Sequence, residues 1–529
     1  MNRTGFLRRR AAENPSTFLR HAPVFLFPEA GMSDLAFSHR PRLDNAAWRE
    51  KFVWRRLALP PLAVAPPCDG PLAALVALGL LALLLPTAPS LLQDPDMLWH
   101  VRTGQEILGS GHFPQVDSYS WTMNGQNWIA KEWLSQVFYA LGYNLAGWTG
   151  VALLALVAAC AACGLVFAAL ERRAGPLFAL AAVALVALAG HFHLLARPHV
   201  LAWPVAAAFA IALLDAAEVG RAPRWSLALL VVLWANLHGS FLFAFVLLPF
   251  FAWESVARAQ EDQGRLALRW TGLAALCLLA PLVHPYGWGV FAAARDVLAL
   301  GPALSLIVEW RPQNFSSFGH FEFVLLLGLG ASLLSGLRLP APRVALALAV
   351  LHSALAHVRQ ETLGLMVVAL LVAAPAAALR GAVFRPRRLE WRVVAGVAAG
   401  VLAVAAGSLL HGGGLRLPDE IAPQAALNAA RAAGVKGQVL NEDQFGGFLI
   451  GQHVPTYADG RAELFGPMHT DLSMALAGRN PETLKTLLAN PQIGWTLLPT
   501  ALPANQVLDA SSEWRRVYRD EVASVYARR

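Results

Sequence analysis

The chain has 529 residues, of which 56% are hydrophobic and only 14% charged, with a formal net charge of +8 and a mean hydropathy of +0.48. A soluble globular protein carries roughly 25% charged residues, so this composition excludes a chain solvated by water throughout. The basic excess does not point to nucleic acid, because no basic-aromatic stripe, zinc-finger spacing or recognition-helix signature accompanies it. It reads instead as loop arginine that sets membrane orientation. Lysine is confined to Lys51, Lys131, Lys436 and Lys485 while Ala, Leu and Arg abound, a bias suggesting a GC-rich bacterial genome.

Residues 1–70 contain Arg8, Arg9, Arg10, Arg20, Arg40, Arg42, Arg49, Arg55 and Arg56 among scattered prolines. The run Ala22–Phe27 is too short for a secretory signal core, so a cytoplasmic, largely disordered basic extension is expected. Spans of about 20 apolar residues then fall near 71–92, 148–170, 176–195, 200–218, 225–238, 240–257, 268–285, 320–337, 342–357, 362–380 and 391–410. About eleven spans result, two of them shortened around Asn236–His238. Cys160 and Cys163 form a C-x-x-C inside one apolar run, where small packing residues are a better reading than a redox pair.

The loops divide by charge. Arg172 and Arg173, Arg221 and Arg224, Arg258, Arg265 and Arg269, Arg338 and Arg343, and Arg380 to Arg392 share one side with the basic N-terminus. By the positive-inside rule that side is cytoplasmic, and an odd number of spans puts everything after residue 411 outside. The other side gathers Asp94, Asp96, His100, Arg102, His191, His193, Arg197, His199, Asn236, His238, His284, Glu309, His357, Arg359 and Glu361. Ionisable groups at membrane depth are costly and normally face a bundle interior or wet cavity. Their convergence predicts one outward-facing site, against the alternative of interfacial snorkelling.

The first outer loop, 93–147, opens with Asp94-Pro95-Asp96. Pro95 stops the preceding helix, and an amphipathic helix follows with Leu98, Ile107 and Leu108 on one side. A polar-aromatic stretch then leads to a second helix near Trp133. Carboxylates at i and i+2 cannot share a helix face but converge in a turn, where they could take a proton or hold a divalent cation such as Mg or Mn. The alternative for Asp96 is plain N-capping. No H-x-x-x-H or H-E-x-x-H spacing supports zinc.

After the last span, residues 412–529 read as a small α/β domain. Helices are expected at Ala425–Ala433 and Pro481–Leu488, strands at Gln438–Leu440 and Trp495–Leu498, and a terminal hairpin from Trp514–Val517 and Ala523–Tyr526. Thr456–Arg461 is expected as a strand end with a tight turn. Asp459 and Arg461 are either a substrate contact or a turn locked by their own ion pair.

The stretches D-x-D-x-L-W-H-x-x-T-G at 94–104, F-P-x-x-D-S-Y-S at 113–120, E-W-L at 132–134, R-P-H at 197–199, W-A-N-L-H-G-S at 234–240, H-P-Y-G at 284–287 and E-W at 309–310 resemble an uncharacterised bacterial branch of the GT-C glycosyltransferases. The resemblance spans roughly 70–465. GT-C enzymes include oligosaccharyltransferases, protein O-mannosyltransferases and aminoarabinose transferases, and take a sugar from a polyprenyl-phosphate carrier to an extracytoplasmic acceptor. The resemblance therefore implies a mainly α, polytopic GT-C-like bundle over 71–411 in a bacterial inner membrane, with the C-terminal domain outside. It places the general base at Asp94 or Asp96 and donor-phosphate partners at Arg197 and Arg359. His199, His238, His284 and His357 would orient the phosphate or protonate a leaving group, with His100, Arg102, Asn236 and Glu309 completing the substrate set. Implied partners are membrane lipid, the carrier-linked sugar and an envelope glycan, lipid or protein acceptor. The chain lacks a W-W-D-type acceptor motif, which argues against N-linked oligosaccharide transfer. A lipid-linked substrate transporter or flippase is the alternative, though no internal repeat supports it; a non-catalytic envelope-assembly protein is another.

Overall fold

The computed structural model describes residues 70–260, 262–301, 308–380, 390–412 and 414–529. The expected basic extension therefore lies, apart from Gly70, outside the described residues. Among the described residues seven helices are long and apolar enough to cross a membrane: Gly70–Leu92, Trp133–Ala174, Pro176–His193, Pro198–Glu218, Gly239–Arg258, Gln263–Leu282 and Val358–Leu379. Four shorter apolar helices, Trp225–Leu237, His320–Ser335, Ala341–Ala356 and Trp391–Ala405, occupy the remaining expected spans. The protein is a mainly α multi-pass membrane protein with a small mixed sheet near its C-terminus.

Small residues let the bundle close. A Cβ on Gly164 would stand 3.0 Å from the Ala77 Cβ, so Gly70–Leu84 and the long helix Trp133–Ala174 approach almost backbone to backbone. Leucines such as Leu83, Leu177 and Leu334 point away from the protein, as lipid-facing positions should. The long helix bends at Ala146–Gly147, where Gly147 takes φ 59°, a conformation that favours glycine. The bend separates an amphipathic first part, Trp133–Leu145, from the span proper.

The arginine-bearing helix ends form an ion network. Arg173 pairs with Asp215 and, at 2.8 Å, with Glu218. Arg343, only 1% exposed, meets Glu218 at 3.0 Å and Glu254 at 2.9 Å. Arg343 is thus a buried tie between helices rather than the loop charge read from the sequence.

The loop after the first span behaves largely as expected. A helix over Asp96–Ser110 ends at Gly111, whose φ of 68° and N–H bond to the Ile107 carbonyl form its cap. Leu98 and Ile107 are buried, whereas Leu108 is 44% exposed. The expected common side is corrected: at about 100° per residue Ile107 lies about 180° and Leu108 about 80° from Leu98, and Leu98 and Ile107 pack in different apolar clusters. The same helix presses Gly104 so tightly against the Gln136 carbonyl that any Cβ would collide.

The sheet is formed by β1 (Gln438–Asn441), β2 (Ile493–Pro499), β3 (Trp514–Arg519) and β4 (Ala523–Arg528). Its order is β1-β2-β4-β3, with β1 and β2 parallel and the other pairs antiparallel. Period-two alternation gives it two apolar faces. Leu440, Leu498 and Tyr526 pack with Leu472 and Leu476 on one. Val439, Trp495, Leu497 and Val525 pack on the other with Phe445, Phe448 and Leu98, so the sheet and the first-loop helix share a core. Thr456–Arg461 is not a strand: only a bridge between Ser120 and Thr456 forms. The Asp459 carboxylate accepts the Arg461 N–H at 3.1 Å, and a side chain takes the donor a ladder would have used.

Candidate functional site

One guanidinium organises the site. Pro198 starts the helix Pro198–Glu218 and holds Arg197 extended, at φ −121° and ψ 157°, as a residue before proline must be. Three carboxylates close on the Arg197 side chain: Asp94 at Nε, Asp96 at Nη2 (2.6 Å) and Glu309 at Nη1. The Tyr139 hydroxyl donates to the Arg197 carbonyl at 2.9 Å and fixes the backbone beneath it. Asp94 and Asp96 converge because Asp94 Oδ1 accepts the Asp96 N–H at 2.8 Å across the proline. Pro95, not Asp96, holds the cap position, and Asp96 makes no capping bond. The Asp96 carboxylate is instead shared between Arg197 and the Trp99 indole N–H at 3.2 Å.

These groups face a cavity of about 1230 Å³ lined by Asp94, Asp96, Arg197, His199, His238, Glu309 and Arg359 from the bundle, and by Glu442, Asp443, Gly460 and His469 from the C-terminal segment. Burial first, then the neighbouring Glu309 carboxylate, raises the Asp96 carboxyl above its usual range, while the Trp99 N–H opposes the shift. Arg359 stacks 4.6 Å above the Trp310 ring, and its Nη2 stands 3.2 Å from His238 Nε2. His238 follows the end of the short helix Trp225–Leu237, and its Nδ1 accepts the Ser240 N–H at 3.0 Å. His238 Nε2 also lies 3.3 Å from Glu132. Burial pushes the Glu132 carboxyl up to about 7, against the pull of Lys131 and Arg359.

Other expected site residues stand behind this wall. His100 is buried beside Gln136 at 3.2 Å, and burial followed by the Lys131 charge pushes it down to about 3. Arg102 pairs with Glu106 at 2.9 Å on its own helix. Asn236 accepts the Trp133 indole N–H at 2.6 Å. His284 meets the Lys131 carbonyl at 3.2 Å and His357 the Trp310 carbonyl at 3.0 Å. These four do not line the cavity, nor does His100. Asp459 and Arg461 are fully enclosed and paired at 2.7 Å, with Gly460 between them reaching the cavity wall.

Arg197 occupies the space between the carboxylates that a divalent cation would need. Among the described residues no group of three or more His, Cys, Asp or Glu is placed to hold a metal ion. The donors as arranged hold a guanidinium.

Asp443, His469, Gln313 and Gln360 line the cavity without having been expected there, and Glu132 stands close behind it. The Asp443 carboxylate accepts from His469 Nε2 at 2.9 Å. Burial works against the charged ring, but Asp443 outweighs it and raises His469. Nothing in the local pattern marked this pair, because it belongs to a stretch of ordinary soluble composition. Glu132 was visible only as part of the E-W-L stretch. Glu361, expected on this side from the sequence, lines the cavity too.

No family model matches the sequence, and no curated protein does. Solved structures do resemble the chain. An oligosaccharyltransferase from Archaeoglobus fulgidus in the apo form has a TM-score of 0.48 at 11% identity, over 82% of this chain and 69% of that one. The oligosaccharyltransferase AglB of the same organism, in complex with an inhibitory peptide and a dolichol-phosphate, has a TM-score of 0.47 at 12% identity, over 80% and 69%. ArnT from Cupriavidus metallidurans bound to undecaprenyl phosphate has a TM-score of 0.46 at 17% identity, over 86% and 97%. With TM-scores below 0.5, these likenesses leave the functional reading to the residues of the cavity.

Proposed function

We propose that this protein is a membrane glycosyltransferase of GT-C type, moving a sugar from a polyprenyl-phosphate-linked donor to an extracytoplasmic cell-envelope acceptor. The observation that carries the reading is Arg197, held by Asp94, Asp96 and Glu309 beside a second guanidinium, Arg359, in one cavity at an end of an apolar bundle. In this proposal the bundle over 71–411 lies in a bacterial inner membrane with the N-terminus cytoplasmic, and residues 412–529 form a domain outside.

Two guanidinium groups suit a phosphate, which they bind through paired N–H donors. A donor phosphate entering the cavity competes with the carboxylates for Arg197. As the guanidinium turns to the phosphate, Asp96 loses an ion-pair partner and becomes a stronger base. An acceptor hydroxyl then attacks the anomeric carbon, its proton passes to Asp96, and the bond from that carbon to the phosphate oxygen breaks. The electron pair leaves on polyprenyl phosphate, whose added charge Arg197 and Arg359 stabilise. Asp94, 3% exposed and tied to the Asp96 backbone, holds the turn rather than the proton. The same residues that fix geometry in the free protein thus bind the leaving group in the reaction.

The test uses purified protein in lipid nanodiscs with labelled polyprenyl-phosphate sugars and envelope acceptors. Transfer by the wild-type protein that is lost in Asp96→Asn and in Asp94→Asn is the expected result. Carrier translocation without transfer, or transfer indifferent to both substitutions, overturns the reading.

A further inference from the structure

Glu361 lies on the cavity wall with one carboxylate oxygen unpartnered. It is 4% exposed and sits at the start of the helix Glu361–Arg380. Its Oε2 accepts from the Gln313 amide at 3.0 Å and lies 3.7 Å from His193 Nε2. Its Oε1 is buried with no hydrogen-bond partner, and so is Oε1 of the adjacent Gln360. Leaving a buried acceptor without a donor is unfavourable, more so when it is charged. Both residues line the cavity, together with Phe192, Phe321 and Leu363.

We propose that this wall is a subsite for the sugar of the donor, in which Glu361 and Gln360 accept hydroxyl hydrogens from the ring. The inference rests on the carrier-linked donor of the proposed function and adds where its headgroup is read. Unpartnered carboxylate and amide oxygens call for a ligand rich in O–H donors. A phosphate has only acceptor oxygens to offer and is repelled by the carboxylate, so it belongs with Arg197 and Arg359 instead. A bare hydrocarbon tail leaves both oxygens unsatisfied. Phe192, Phe321 and Leu363 give the C–H face of a sugar ring an apolar partner, the usual pocket composition of apolar lining with a few placed polar groups. Arg359 and Glu361 are two residues apart in sequence, so phosphate and sugar subsites are carried by neighbouring residues. One donor molecule can engage both.

Binding to wild-type protein in nanodiscs is measured for undecaprenyl phosphate and for a panel of undecaprenyl-phosphate monosaccharides. At least one monosaccharide should bind more tightly than the bare carrier. Glu361→Gln should weaken that one about tenfold or more, the loss of a hydrogen bond to a charged acceptor, and leave the bare carrier unchanged. Gln360→Met, which keeps the bonds around Glu361, should weaken it about threefold to tenfold, so the test survives if Glu361→Gln does not fold. A panel in which no headgroup adds affinity overturns the subsite, as do variants that weaken carrier and monosaccharide alike, or neither. Failure of undecaprenyl phosphate itself to bind overturns the carrier reading beneath it.

Discussion

Arg461 donates from Nη1 to Asp117 at 2.7 Å, joining residues 344 positions apart. Its other side reaches Asp459, also at 2.7 Å, and Trp128 covers the guanidinium at 4.7 Å. The first loop and the C-terminal segment are therefore bolted together by one buried cation between two buried anions. Lys131 and Glu463 add a second ion pair across the same junction.

Removing that cation should be costly. Arg461→Met leaves the Asp117 and Asp459 carboxylates buried without a counter-charge, and breaking such a set costs about 3–5 kcal/mol. Arg461→Lys should recover little, because an ammonium cannot bridge two carboxylates as a planar fork does. Thermal unfolding in detergent measures both, and a lysine variant as stable as wild type would show that charge alone suffices.

The pH dependence of transfer should report Asp96. Its carboxyl is raised above the ordinary 3.8 by burial first and by Glu309 second, so the basic form appears at higher pH than for an exposed aspartate. The rate should rise through that shifted value and level off above it. Asp96→Asn should lower the rate about 10²–10⁴-fold and abolish the rise, with donor binding retained. A rate profile that keeps its rising limb in Asp96→Asn assigns the base elsewhere.

Glu132 should make the fold more stable in mild acid. Burial lifts its carboxyl from the ordinary 4.5 to about 7, so between those values the folded state holds a proton that the unfolded chain releases. By linkage, this contribution is complete below about 4.5 and is lost as pH rises through about 7. The melting temperature should therefore fall between pH 5 and pH 8, and the fall should shrink in Glu132→Gln. An unchanged fall in the variant would assign the effect to other groups.

Gly460 tests how closely the C-terminal segment approaches the acidic turn. A Cβ there would collide with the Asp96 carboxylate, and one at Gly447 with the Pro95 carbonyl. Gly460→Ala should cost about 1–3 kcal/mol of stability, as overpacking does, and reduce transfer more than any change in donor affinity explains. Normal transfer in a folded Gly460→Ala protein would place the reacting carboxylate away from this contact.

What the sequence determined by itself is the architecture. Spans of apolar residues have one solution in lipid, the helix, because every backbone polar group must be satisfied within the segment; among the described residues seven of the eleven expected spans meet helices long enough to cross and the other four meet shorter apolar helices. The strand near Trp495–Leu498 and the terminal hairpin were expected and are present as β2, β3 and β4, and the turn at Asp94-Pro95-Asp96 was legible because proline cannot continue a helix. The site was legible only as a collection. Arg197, His199, His238, Glu309 and Arg359 do meet Asp94 and Asp96 at one cavity, whereas His100, Arg102, Asn236, His284 and His357 do not line it. Local pattern cannot separate these groups, since which way a side chain turns at a helix end depends on what packs against it. Three carboxylates sharing Arg197, Arg461 bridging 344 positions, and the bare oxygen of Glu361 come from segments far apart in the chain. Only folding sets their distances, and with them the electrostatics.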